Sequence, residues 1–171
     1  NKQPVSFEPA LKIMNQEQAS RGPDDEGFFF DDRIAFGHRR LALLDLSPHG
    51  HQPMAYKSFN IHITFNGEIY NFLSLKKDLL TKGYRFTTNT DTEVILALYQ
   101  DKGPESFSLL RGMYAFALWD GNTRKLFLVR DRYGIKPLYY YSDSQTLIFA
   151  STVRALAASG LVPKDQNPEA W

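Results

Sequence analysis

The chain has 171 residues, 43% of them apolar and 14% aromatic, enough to bury one real core and too few for two comfortable ones. Its 20 Lys and Arg stand against 19 Asp and Glu without forming blocks, which excludes the electrostatic footprint of a nucleic-acid or anionic-membrane binder and leaves small molecules or protein surfaces as partners. With no cysteine, these residues cannot form disulfides, zinc–thiolate sites or a thiol nucleophile.

No basic, then apolar, signal opens the sequence, so a cytoplasmic location is the default expectation. Residues 9–18 are patterned as a helix, and residues 27–30 and 33–44 as strands. The loop that follows carries Asp45, His49 and His51; a His-x-His pair can bind metal, but Pro48 and Gly50 describe a loop whose histidines are more simply solvated, and no metal is expected. His38 and His62 fall in strands and are expected to be ordinary sheet residues. Residues 59–65 alternate apolar and polar side chains, which predicts a strand with one buried face that delivers Asn66-Gly67 to its end. Asn71, an apolar stripe at Phe72, Leu75, Leu79 and Leu80, and Gly83 predict a helix with an Asn cap and a Gly stop. Asp91 stands where the cap of a second helix belongs, with Val94, Ile95, Leu98 and Tyr99 facing the core and an end near Lys102-Gly103.

Residues 113–119 and 125–129 are β-rich runs joined by a turn at 120–124; the first is the longest apolar stretch, far short of the roughly 20 residues that span a bilayer. A second pair, residues 137–141 and 146–150, flanks a polar turn at 142–145, and residues 152–158 look helical. Strands, then helices, then strands favour helices layered on antiparallel sheets over a doubly wound parallel fold. One domain is expected over residues 1–160, with 161–171 resembling the start of a linker.

Single residues suggest chemistry only weakly. The amide of Asn66 beside the unobstructed N–H of Gly67 could donate to a developing oxyanion, or could be a plain Asn-Gly turn. Arg40 could be a surface charge or a fork for a carboxylate, and Asp91 is most simply a cap.

In order, however, the motifs are specific. Ala19-Ser20-Arg21-Gly22-Pro23-Asp24-Asp25-Glu26-Gly27, His38-Arg39-Arg40-Leu41, Gly50-His51-Gln52-Pro53-Met54, Asn66-Gly67-Glu68-Ile69-Tyr70-Asn71, the segment from Asn89 to Leu96 and the segment from Arg130 to Tyr139 together cover nearly the whole chain. They resemble the glutaminase domain of glutamine-hydrolysing asparagine synthetases, within the class II glutamine amidotransferases. The resemblance implies an α+β fold of the N-terminal nucleophile hydrolase type, a four-layer αββα sandwich of two antiparallel sheets. In that family a cysteine at residue one attacks the glutamine carboxamide with its own α-amine as base, which a pKa near ~8 permits at neutral pH. The products are glutamate and ammonia.

The resemblance further implies an oxyanion hole from the Asn66 side chain and the Gly67 backbone, Arg40 on the glutamine α-carboxylate, and Asp91 with Glu68 on the α-ammonium. Arg21 would shape the pocket floor, and Asp131 and Arg132 would be structural. No cofactor is implied for this domain; ATP and Mg belong to a downstream synthetase domain that amidates aspartate. A homo-oligomer is compatible with the resemblance.

The pattern breaks at the start, where Asn1-Lys2-Gln3-Pro4 stands near the family's cysteine-bearing strand and Ser6 has no adjacent α-amine to activate it. The expectation is that the first strand is missing and the chain as given is catalytically inert, either because the numbering begins after a truncation or because a homologue lost the residue. The alternative reading is a non-catalytic glutamine-binding or structural module fused to a synthetase domain.

Overall fold

The structure is a computed structural model that describes residues 7–42 and 47–163. Its centre is a four-stranded antiparallel sheet, in the order β3 (Met54–Tyr56), β4 (Ile61–Ile69), β5 (Gly112–Asp120) and β6 (Lys125–Arg130). Alternation along β4 decides the layering. Ile61, Ile63, Phe65 and Ile69 join one large core with Phe116, Leu118 and the helices α2 (Phe72–Thr81) and α3 (Asp91–Lys102). Six of the twelve α3 residues are apolar and nine are buried, so this helix is held by packing more than by a narrow amphipathic stripe.

The opposite face of β4 meets a layer of two hairpins. One pairs β1 (Asp25–Phe30) with β2 (Ala35–Arg40), the other β7 (Tyr139–Ser142) with β8 (Leu147–Ala150). Phe29 stacks on His62 with ring centroids 3.7 Å apart, and Phe36 packs among Ala117, Trp119 and Phe149. The hairpins are not hydrogen-bonded to each other among the described residues, but Phe36 meets Phe149 edge-on at 5.8 Å. Outside them lie α1 (Glu8–Gln16) and α4 (Val153–Ala158), where Met14 packs with Ile148, Ala150, Ala155 and Leu156. Helix, sheet, sheet, helix is the expected order of layers.

Several local expectations need correction. The strand does not stop before Asn66-Gly67: β4 carries both residues inside it, in register with Ala115 and Tyr114. A Cβ at Gly67 would lie 2.2 Å from the Met113 carbonyl oxygen, so β5 approaches at a distance only glycine allows, and φ is +156°. The cap of α3 is Thr90, whose hydroxyl accepts from Glu93 N–H; Asp91 is the first helical residue. Asn71 takes the N-cap position of α2 as expected, but its side chain does not cap the helix, because its amide is spent across the chain, donating to Leu109 O and accepting from Arg111 N–H at 3.0 Å each. The stop at Gly83 holds, with φ +90° and the Tyr84 N–H returning to Leu79 O at 3.2 Å. The three-residue strand β3 and the 3-10 turn Gly103–Leu109 went unexpected. The expected strand end at Leu43 and Leu44, Asp45, the start of the chain through Ser6 and most of the expected linker lie outside the described residues.

Candidate active site

Arg40 ends β2 with only 9% of its surface exposed. A bracket made by Arg21-Gly22-Pro23-Asp24 holds that strand end. Asp24 N–H donates to Arg40 O at 3.0 Å, and the Asp24 carboxylate accepts from Ala42 N–H at 2.9 Å. A Cβ on Gly22 would collide with the Arg39 carbonyl at 2.4 Å, so the turn can lie on the strand only with glycine there. The guanidinium donates to Ser47 O at 3.1 Å and rests on Gly50, where a Cβ would fall 2.0 Å from Nη2. Two glycines thus set where the cation sits.

On the facing sheet, alternation turns Asn66 and Glu68 away from the large core and toward the hairpin layer, as it does Thr64, whose hydroxyl bonds His38 Nδ1 at 3.0 Å. Burial, the largest influence, pushes the His38 imidazole down to about 4, so it is neutral near pH 7. Asp91, at the first turn of α3, accepts from Ile69 N–H at 2.9 Å and is 4% exposed. Burial raises its pKa above the ordinary 3.8 against the pull of these backbone N–H groups, and the Glu68 carboxylate raises it further.

Arg21, Arg40, Asn66, Gly67, Glu68 and Asp91 all line one cavity of about 610 Å³ between the two sheet layers, joined there by Gln52, His38 and Thr90. That volume is in the range of small-molecule sites, roughly 300–1,000 Å³. Cations, two carboxylates and amide donors thus open on one space.

Residues 2–171 match the family described as the glutamine amidotransferase domain. The chain belongs to that family. It is 44% identical to an asparagine synthetase [glutamine-hydrolyzing] 1 of Bacillus subtilis over 91% of its own length, and 42% identical to an amidase, chry2, of Gibberella zeae over 85%. These alignments take in 25% and 22% of the relatives, so the chain spans about a quarter of their length. In structure it resembles the glutamine phosphoribosylpyrophosphate amidotransferase of Bacillus subtilis, with a TM-score of 0.62 and 27% identity, covering 74% of this chain and 29% of that one. The α+β fold is accordingly that of the N-terminal nucleophile hydrolase amidotransferases.

Other expectations resolve outside the cavity. Asp131 is structural in this fold: although burial works against its charge, N–H groups of Tyr114, Tyr133, Ile135 and Lys136 surround the carboxylate and hold its pKa below the ordinary value. His51 is committed to Asp25 at 2.7 Å, and the described residues bring no third ligand to it and His49. What the sequence reading missed are the positioning glycines 22 and 50 and the buried Gln52. All three sit inside motifs that carry the resemblance, but a glycine's reason is visible only when its neighbour across space is known.

Proposed function

We propose that this domain binds free L-glutamine in the cavity between the sheets, as the glutamine-hydrolysing part of an asparagine synthetase-type amidotransferase. Arg40 takes the α-carboxylate, Asp91 with Glu68 takes the α-ammonium, and the Asn66 amide and Gly67 N–H face the side-chain carbonyl oxygen. Arg21 shapes the floor. What supports the reading is that all of these residues line a single cavity in a chain 44% identical to a glutamine-hydrolysing synthetase. Opposite charges read the α-carbon of an amino acid and reject simple amides, while two donors stabilise the oxyanion of the tetrahedral state, each worth roughly 3 kcal/mol in comparable sites.

Hydrolysis of the carboxamide needs a nucleophile, and the 171 residues contain no thiol. The chain alone therefore binds glutamine without turning it over. In the parent protein the released ammonia serves ATP-dependent amidation of aspartate by a synthetase domain on the same polypeptide, where ATP and Mg would bind.

Titration calorimetry on the chain tests the binding reading. L-glutamine should bind and D-glutamine and propionamide should not, with binding lost in Arg40→Ala. In the full-length parent, Arg40→Ala should remove glutamine-dependent synthesis and spare ammonia-dependent synthesis; equal loss of both would assign Arg40 to folding instead.

A further inference from the structure

The edge of β4 that opens on the cavity is finished by side chains as well as by a strand. Tyr70 N–H donates to Arg111 O across the β4–β5 seam, so even-numbered residues of β4 address β5 and odd-numbered ones address the other edge. The odd positions can be followed in turn. Ile61 and Ile63 pair with Tyr56 and Met54 of β3, where that strand ends. Phe65 N–H donates to Gln52 Oε1 at 2.7 Å, and Ile69 N–H donates to Asp91 Oδ2 at 2.9 Å. Between them, the same alternation carries Gly67 N–H to this edge, and no backbone or side-chain acceptor meets it among the described residues. Tyr114, opposite Gly67, confirms the phase, since its N–H and C=O both turn to Asp131 on the far side.

We infer that Gln52 is a positioning residue of the amidotransferase site: by capping Phe65 N–H while Asp91 caps Ile69 N–H, it leaves Gly67 N–H as the donor of this edge addressed to the ligand. Gln52 suits the task because it is 7% exposed, lies two residues from the Gly50 that seats Arg40, and lines the same cavity. A backbone N–H can donate only to an oxygen, so the bond also fixes which way round the carboxamide stands. Without the cap, Phe65 N–H would become a second donor about 7 Å along the strand, free to take water or compete for the carbonyl. The inference rests on the glutamine reading for the identity of the ligand and on hydrogen-bond geometry for the device itself.

Site-resolved amide hydrogen exchange by NMR on the chain separates the two. In the ligand-free protein, Phe65 and Ile69 amides should be protected and Gly67 exposed to exchange; a protected Gly67 or an unprotected Phe65 overturns the inference whether or not glutamine binds. Saturating L-glutamine should then shift and protect Gly67. In Gln52→Met, Phe65 should lose protection and glutamine affinity should fall about two- to tenfold, the worth of one hydrogen bond. Gln52→Glu keeps the acceptor and should restore Phe65 protection, whereas packing alone would favour Met over a buried carboxylate. If the exchange pattern holds and L-glutamine causes no change at any amide, the ligand assignment fails and the edge device stands.

Discussion

If Asp91 binds the proposed α-ammonium, one carboxylate is asked for two incompatible things. To hold an ammonium it must be ionised, yet burial and the neighbouring Glu68 raise its pKa above 3.8, so the empty fold carries a penalty for that charge. A group whose folded pKa is raised takes stability away as pH climbs from the ordinary value through the raised one, and the deficit persists at neutral pH. Asp91→Asn keeps an oxygen for Ile69 N–H and removes the charge. Its melting temperature at pH 7 should equal or exceed that of the parent chain while L-glutamine binding disappears; a drop of several degrees would mean the charge supports the fold. His38 has the opposite sign. Its pKa falls from 6.5 to about 4, so the stability it contributes is complete above pH 6.5 and is lost as pH falls through 4, about 3 kcal/mol in all. Thermal melts between pH 7 and pH 4 should steepen with acid in the parent chain and flatten in His38→Gln.

At the scale of elements, the sequence exposed periodicity well and spatial partners poorly. Period-two alternation found β4, and the apolar stripes with their Gly83 and Gly103 stops found α2 and α3, because these signals are local. The end of β4 was misplaced because Asn-Gly is a turn signal unless a second strand lies against it, which here β5 does. Asp91 was mistaken for a cap because Thr90 and Asp91 are both good caps and only the hydrogen bond to Glu93 N–H decides. Asn71 does stand at the cap of α2, but that its side chain serves Leu109 and Arg111 is equally a fact of tertiary contact. Two glycines that look alike in sequence should therefore behave differently when replaced. At Gly67 a methyl group meets rigid backbone, 2.2 Å from Met113 O, and Gly67→Ala should cost at least about 2 kcal/mol in chemical denaturation. At Gly50 the methyl meets the far end of Arg40, which can swing aside. Gly50→Ala should leave the denaturation midpoint nearly unchanged and weaken L-glutamine binding, measured by calorimetry, because the cation is displaced.

For the whole molecule, the proposed site belongs to neither sheet alone. Arg40 and its Arg21-Gly22-Pro23-Asp24 bracket come from the hairpin layer, whereas Asn66, Gly67, Glu68 and Asp91 come from the central sheet and the helix packed beneath it. Their separation is set by whatever holds the two layers at a fixed spacing. Among the described residues the two layers are joined by the Phe36 cluster with Ala117 and Trp119, by Phe29 on His62, by His38 Nδ1 with the Thr64 hydroxyl at 3.0 Å, and by the Trp119 indole N–H donating to Asp31 at 3.2 Å. The ordering of motifs in the sequence could announce the family, but it could not say that an aromatic cluster packs the two layers together beside the cavity. Stability and affinity should come apart accordingly. Phe36→Ala removes a side chain 1% exposed at the layer interface and should cost about 3–5 kcal/mol; Leu79→Ala removes an equally buried one from α2 and should cost about 2–5 kcal/mol. Both variants would be unfolded to a greater extent, so calorimetry at low temperature, corrected for the folded fraction, is the relevant measurement. Affinity per folded molecule should fall in Phe36→Ala, where the layers lose their spacer, and stay unchanged in Leu79→Ala, where the cavity is untouched. Equal affinities in the two would show that the Phe36 cluster does not set the spacing the site depends on.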